Sequence, residues 1–294
     1  MSTVVLLALT GLGLAALYFL VASGLSLIFG LMGVLNFAHG AFLTIGAYGT
    51  WWAAGNLPGA GPSGGGFVLA VVFGVAVGTV VAALIELLLI RPLYRRHIEQ
   101  VLVTVGLSLA LVALVRGIWG ADPRPFPRPA WTRRTTVLLG AHVPDDRFLL
   151  IASAVVVLLA MLAFLRFTRF GLVIRAGVEN RTMVTALGID VRKAFTLVFA
   201  LGGALAALAG ALGGVYQGAI SPGQGSSLLI FAFIVVVIGG MNSVTGAAAA
   251  AVLVGLVQQF ANYYAASGVG DLSVVLLLAV VLLARPGGLR ARVA

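Results

Sequence analysis

The chain has 294 residues, of which 61% are hydrophobic and only 9% charged, and its mean hydropathy is +1.15. Soluble domains carry about 25% charged residues, so this composition leaves no room for a soluble catalytic domain of any size. The formal charge of +10 is not a nucleic-acid patch, because the basic residues lie between apolar runs, and the lack of cysteine excludes disulfides, Cys-ligated zinc and iron–sulfur clusters.

Apolar runs fall near residues 4–29, 37–54, 67–90, 99–119, 148–165, 194–216, 228–242, 246–264 and 272–284. A crossing takes about 20 such residues, which gives about eight to ten spans. The expected fold is all-α: one polytopic transmembrane domain over 1–294, with discontinuous helices. The first run lacks a basic n-region and continues into apolar sequence, so it reads as a span rather than a cleaved signal.

The next stretch, residues 31–49, places Asn36 and His39 three apart among Gly30, Gly33, Gly40, Gly46 and Gly49. Polar groups and helix-weakening glycines at membrane depth are expected where backbone lines a cavity or is shielded by protein. Asn36, His39 and Gly40 are therefore candidates for a helix break beside a translocation path. A hydrogen-bonded structural role for His39 is the competing reading. In the following span Ala70, Gly74, Gly78 and Ala82 recur every four residues, and Glu86 precedes Arg91 at its end, where it could snorkel or pair.

Residues 120–147 form a polar loop whose alternate prolines, from Asp122 to Pro129, favour extended polyproline geometry. Residues 166–193 form a second, basic loop, helical over 175–188. Ile174, Val178 and Leu187 are the expected apolar stripe, and Gly188 the stop. The 91–97 and 166–193 loops are separated by two spans and so share a side. Both are basic, which makes that side cytoplasmic. The 120–147 loop is then external, although it holds five arginines against three aspartates. The N-terminus is external on the same count.

The span at 194–216 carries a ladder of small residues, Gly202, Ala206, Gly210 and Gly214, which continues to Gly218 just beyond it. Small residues at this spacing let helix backbones approach closely in lipid. The pattern G-x-x-N-x-x-x-G-A occurs twice, at Gly33–Ala41 and at Gly239–Ala247, which adds Asn242 and Gly246 as helix-break candidates. It reads either as an echo of repeated halves or as coincidence in a chain with 39 glycines. Gln258, Gln259 and Asn262 can hydrogen-bond between helices. No phosphate loop, H-E-x-x-H or glycosidase-like acid pair is present, so no enzyme activity, cofactor or metal site is expected. Glu86 is the one acid well inside a predicted span, which argues against ion-coupled transport.

Several segments together resemble the permease subunits of ABC importers for branched-chain amino acids, the LivH type. They are Gly24-Leu-Ser-Leu-Ile-Phe-Gly-Leu-Met-Gly-Val-Leu-Asn-Phe-Ala-His-Gly-Ala, Phe170-Gly-Leu-Val-Ile-Arg-Ala, Ala186-Leu-Gly-Ile-Asp, the run from Phe199 to Leu212, Ile220-Ser-Pro and Arg285-Pro-Gly-Gly-Leu. The resemblance implies a multi-pass protein of the bacterial cytoplasmic (inner) membrane with three kinds of partner. These are a second permease subunit, homologous or identical, two cytoplasmic ATPase subunits, and an external solute-binding protein. It also implies that the cytoplasmic loop, 170–190, docks into the ATPase through Arg175, Ala176, Glu179, Asn180, Arg181, Ala186 and Gly188. Around Asn242 and Thr245 the chain departs from the family pattern of Gly and Pro. Alternatives are the same machine for urea or short amides, and a secondary transporter or channel.

Overall fold

The computed structural model describes residues 2–285 except Val34, Arg95, Ile189, Asn242 and Ser267, with the side chains of Asn180, Arg181, Thr182 and Thr185 also outside the described set. Among these residues there are ten α-helices: α1 Ser2–Met32, α2 His39–Asn56, α3 Gly64–Ile85, α4 His97–Trp119, α5 Asp145–Phe167, α6 Arg169–Ala186, α7 Val191–Gln217, α8 Gln224–Gly239, α9 Val244–Tyr264 and α10 Val269–Ala284. Six helices are long and apolar enough to cross a membrane, those at 2–32, 64–93, 97–119, 145–167, 191–217 and 244–264. The protein is an all-α, multi-pass membrane protein.

α1 is the central post. Its 31 residues span about 46 Å at 1.5 Å per residue, and every residue from Gly13 to Ile28 is buried. A helix apolar all round can stand in lipid, so its burial reflects close packing by α9, α7, α5 and α8 around it. α2 is interior for a different reason. It is packed by α3, α7, α8 and α4, and its glycines, threonines and tryptophans make it too polar to stand in lipid alone. The outer helices α4, α5 and α10 instead turn leucines and valines outward, among them Leu109, Val156 and Leu283.

Glycine sets how closely these helices approach. Gly24 of α1 stands against the Gly202 carbonyl of α7, and Gly255 of α9 against the Gly11 carbonyl of α1, each 2.7–2.8 Å from where a Cβ would sit. The earlier ladder works in the same way. Gly74 lies on Gly49 and Thr50 of α2, while Gly78 and Ala82 lie on Ala207 and Gly203 of α7. With no hydrophobic effect between helices in lipid, this close packing carries the association.

α3 does not end at Ile85 but passes into a π-helical turn, Glu86–Ile90, and a 3-10 turn, Arg91–Leu93. Pro92 explains the change, since it lacks an N–H and its ring crowds the carbonyl four residues back. Glu86 departs from the snorkelling or Arg91 pairing expected of it. It is fully buried and accepts a hydrogen bond from the Tyr94 hydroxyl.

The 120–147 loop is more structured than its prolines suggest. Arg124–Pro125 (β1) pairs antiparallel with Ala219–Ile220 (β4), and Thr135–Leu138 (β2) with Ala141–Pro144 (β3). The β2–β3 turn holds Leu139 and Gly140 at positive φ. Phe126 is buried with its ring on Gly214, and its amide donates to the Gly218 carbonyl at 3.0 Å. The loop is thereby tied to the end of α7.

Candidate functional site

The backbone leaves the helix between α1 and α2. Gly33 takes φ +69, a conformation L side chains rarely adopt, and α2 restarts only at His39. Asn36 builds the return turn. Its Oδ1 accepts from the Ala38 amide at 3.1 Å, and its carbonyl accepts from the His39 amide at 3.2 Å, while its Nδ2 is buried with no partner among the described residues. His39 is fully buried, with Nε2 3.1 Å from the Val21 carbonyl of α1. That bond ties the start of α2 to α1, and Nδ1 has no described partner. Gly40 sits on α8, where a Cβ would stand 2.6 Å from the Gly225 carbonyl oxygen.

Leu35, Asn36 and Phe37 open onto an apolar cavity of about 290 Å³. Leu25 of α1, Val105, Ser108 and Leu109 of α4, and Ser226, Leu229, Ile230 and Phe233 of α8 complete its lining. Residues 105–109 are the middle of α4, so the irregular segment lies level with the middle of a span. Phe37 and Ile230 are exposed at its edge. The sequence starts this span at residue 228, but the helix starts at Gln224; of the added residues Gln224 and Gly225 are buried, and Ser226 and Ser227 are exposed. The polar run Ser221-Pro-Gly-Gln224 was the available signal.

The second break separates α8 from α9. Gly240 takes φ +92, and Ser243 caps α9 by accepting from the Gly246 amide at 3.0 Å. Gly246 again meets a glycine: its missing side chain makes room for the Gly239 carbonyl. In both copies of the pattern the final glycine lies in the first turn of a new helix against a glycine carbonyl of another. Asn242 lies outside the described residues.

α6 follows α5 after a single residue. The Thr168 hydroxyl donates to the Phe164 carbonyl at 2.7 Å and accepts from the Gly171 amide at 2.9 Å. This reverses the chain and starts the helix six residues before the expected 175. Ile174 and Val184 are buried and Val178 half-buried, but Leu187 is exposed, so the apolar stripe runs through Ile174, Gly177 and Val184 instead. Leu187 falls beyond the last turn and cannot share the stripe. Arg175, Ala176 and Glu179 line a cavity of about 500 Å³ with Ser26 and Gly30 of α1 and Val244 of α9. Ala186 and Gly188 are exposed, Gly188 at φ +77. The side chains of Asn180 and Arg181 lie outside the described residues.

The ladder on α7 meets a different neighbour at each rung. Gly202 faces Ile28 and Gly24 of α1, Gly210 the Leu43 carbonyl of α2, and Gly214 the Phe126 ring, while Ala206 is fully buried. Gly218 is the left-handed cap of α7, φ +75, and the Arg128 guanidinium stands 2.9 Å from where its Cβ would sit. At the same end of the bundle the Tyr18 hydroxyl donates to Gln258 Oε1, and Gln258 Nε2 to Asp271 Oδ1, both at 2.7 Å, joining α1, α9 and α10. Asn262 Oδ1 accepts from the Gly268 and Gly270 amides and so shapes the α9–α10 turn. Among the described residues no group of three or more His, Asp and Glu could hold a metal ion.

The family model for branched-chain amino acid transport system / permease component matches residues 7–285. The high-affinity branched-chain amino acid transport system permease protein LivH of Escherichia coli (strain K12) is 28% identical over 291 residues, covering 96% of this chain and 94% of that one. The corresponding permease protein BraD of Pseudomonas aeruginosa is 28% identical over 288 residues, with the same coverage. The probable branched-chain amino acid transport permease protein LivH of Methanocaldococcus jannaschii is 29% identical over 283 residues, 91% of this chain and 87% of that one. No solved structure matches the chain. The match runs through both helix breaks, α6 and the α7 ladder, and the chain belongs to the family of permease components of branched-chain amino acid transport systems.

Proposed function

We propose that this protein is one of two permease subunits of an ATP-driven importer that carries branched-chain amino acids across the cytoplasmic membrane. Its partners are a second permease subunit, two cytoplasmic ATPase subunits and an external solute-binding protein. The observation that carries the reading is the irregular segment Leu35–Asn36–Phe37, which borders an open cavity level with the middle of α4. Non-helical backbone at membrane depth is tolerated only where protein covers it or water fills a cavity beside it. A second subunit set against α8 provides both, and the translocation path runs between the two.

In this arrangement α6 faces the cytoplasm and receives the ATPase through Arg175, Ala176, Glu179, Asn180, Arg181, Ala186 and Gly188. The cavity behind it leaves room for displacement toward α1 and α9. The 120–147 segment and the N-terminus are external. Asn36, His39, Gly40 and Gly246 serve as the breaks that let helices approach and move, rather than as a substrate clamp.

Two experiments test this. Because the chain has no cysteine, Ile230→Cys can carry a thiol-attached photo-crosslinker with no competing site in this chain, and it is expected to capture the second subunit on illumination. Leu283→Cys, on the exposed face of α10, is expected to stay unlinked; the reverse pattern refutes the proposed interface. In proteoliposomes, leucine uptake is expected only with ATP, ATPase and binding protein all present. Downhill leucine movement through the chain alone refutes the importer.

A further inference from the structure

α8 has a second hollow on its other side. It measures about 430 Å³ and lies between α1 and the first turn of α8, within the range of about 300–1,000 Å³ typical of small-molecule sites. Leu14, Leu17 and Phe231 give it an apolar wall. Tyr18 stiffens that wall: its ring stacks on Phe231 with centroids 5.1 Å apart, and its hydroxyl is committed to Gln258.

Gln224 is the group this hollow has to explain. It is 6% exposed, and neither Oε1 nor Nε2 has a hydrogen-bond partner among the described residues. A buried polar group left unpaired costs about 1–3 kcal/mol, and native proteins retain few of them. The amide rests over α7 at Gly213, where an added Cβ would stand 3.4 Å from Nε2. It therefore has support but no partner, and it carries one donor group and one acceptor into the hollow.

The surroundings define what would pair with it. Gln224 opens α8, whose 16 residues present the positive end of their dipole here. The amides of Gln224, Ser226 and Ser227 already close on the Ser221 and Gly223 carbonyls, so the helix offers a field rather than free donors. No charged side chain is among the described lining residues. A ligand of no net charge fits this set better than an anion or a cation, and the transport reading makes that ligand an amino-acid zwitterion.

We propose that this hollow binds one free zwitterionic α-amino acid with an aliphatic side chain, within a single subunit. Gln224 Nε2 donates to the carboxylate at the positive end of α8. Gln224 Oε1 and the Ser227 hydroxyl accept from the ammonium group, and the side chain lies on Leu14, Leu17 and Phe231. The assignment rests on reading the chain as an amino-acid permease. It adds a place where substrate pauses beside the path, distinct from the Asn36 cavity on the opposite face of α8.

The test is equilibrium binding of radiolabelled leucine to the assembled transporter in nanodiscs without its binding protein. Wild type, Gln224→Leu and Leu17→Trp are compared, and leucine uptake by the complete wild-type system is measured in parallel. Wild type is expected to bind leucine, with isoleucine competing but leucinamide and isocaproate, each lacking one charge, failing to compete. Gln224→Leu is expected to weaken binding at least tenfold while its melting temperature holds or rises, because it removes an unpaired buried amide. Leu17→Trp fills the hollow from the opposite wall and is expected to weaken binding similarly; it decides alone if Gln224→Leu does not fold. Wild-type affinity in a folded variant, full competition by leucinamide, or normal uptake without detectable binding overturns the site and leaves the transport reading intact. Binding that depends on Gln224 in a system that takes up no branched-chain amino acid supports the site and refutes the transport reading. Absence of both overturns both.

Discussion

Gly40→Ala is the sharpest perturbation of the helix break. A Cβ at residue 40 would stand 2.6 Å from the Gly225 carbonyl oxygen, 0.8 Å inside the 3.4 Å where ordinary contact begins, and 2.9 Å from the Gly225 carbonyl carbon. Both obstacles are backbone, so no side chain can swing aside, and α2 and α8 must separate by most of that 0.8 Å. Overpacking of this kind costs about 1–3 kcal/mol. Gly225→Ala strikes the same crossing from the other side, on the Gly40 carbonyl. One separation relieves both clashes, so the double variant should be less destabilised than the two single losses added together. Gly55→Ala is the control, since it lies in α2 with nothing within 4 Å and should be neutral or gain up to about 1 kcal/mol from helix propensity. Thermal or denaturant unfolding in one detergent reads all four proteins. Gly40→Ala as stable as Gly55→Ala, or strict additivity with Gly225→Ala, refutes the backbone-on-backbone crossing.

Replacing Arg175 and Glu179 together with Ala should leave insertion and melting within about 0.5 kcal/mol of wild type, since both are exposed, yet abolish uptake and ATPase stimulation; unchanged uptake would remove α6 from coupling. Tyr18→Phe leaves Gln258 Oε1 without its donor and should cost about 1 kcal/mol in unfolding, near the upper part of what interhelical bonds contribute in membranes; a loss within error would show that the pair is idle. Phe126→Ala uncovers Gly214 and unpins the 120–147 segment from α7, for about 3–5 kcal/mol. The same variant should speed proteolysis of that segment, and normal resistance would argue that β1–β4 pairing alone holds it.

Much of the fold was legible because lipid imposes strong rules on composition. Nine apolar runs in the sequence correspond to helices α1–α5 and α7–α10 among the described residues, and Gly33 and Gly188 do stand at positive φ beside helix ends. The losses have physical reasons. Residues 124–144 pair as short strands through backbone bonds, and β1 reaches a partner nearly a hundred residues away, which no local pattern announces. Leu187 stands nine residues after Val178, two and a half turns on and so on the opposite face, and it lies beyond Ala186, the last residue of α6. Gln224 gave no hydropathy signal, because a polar residue ahead of an apolar run looks like loop. Its burial depends on α1 and α7 closing over it from elsewhere in the chain.

The two ends of α8 are held alike, and this bears on how the helix can move. Gly225 lies on the Gly40 carbonyl at one end and Gly239 on Gly246 at the other, with cavities along both flanks between. At 16 residues α8 is about 24 Å long, shorter than the hydrocarbon core of about 30 Å. A short helix gripped through backbone at its ends has no flexible side chain there to absorb a displacement, and packed interiors transmit strain rather than dissipate it. Its natural motion is therefore a rigid tilt about one grip or the other. A tilt that opens the Asn36 cavity necessarily changes the space on the Gln224 side, because the same rod walls both. The paired glycines thus do more than permit close approach: they seat both ends of the one helix that walls both cavities.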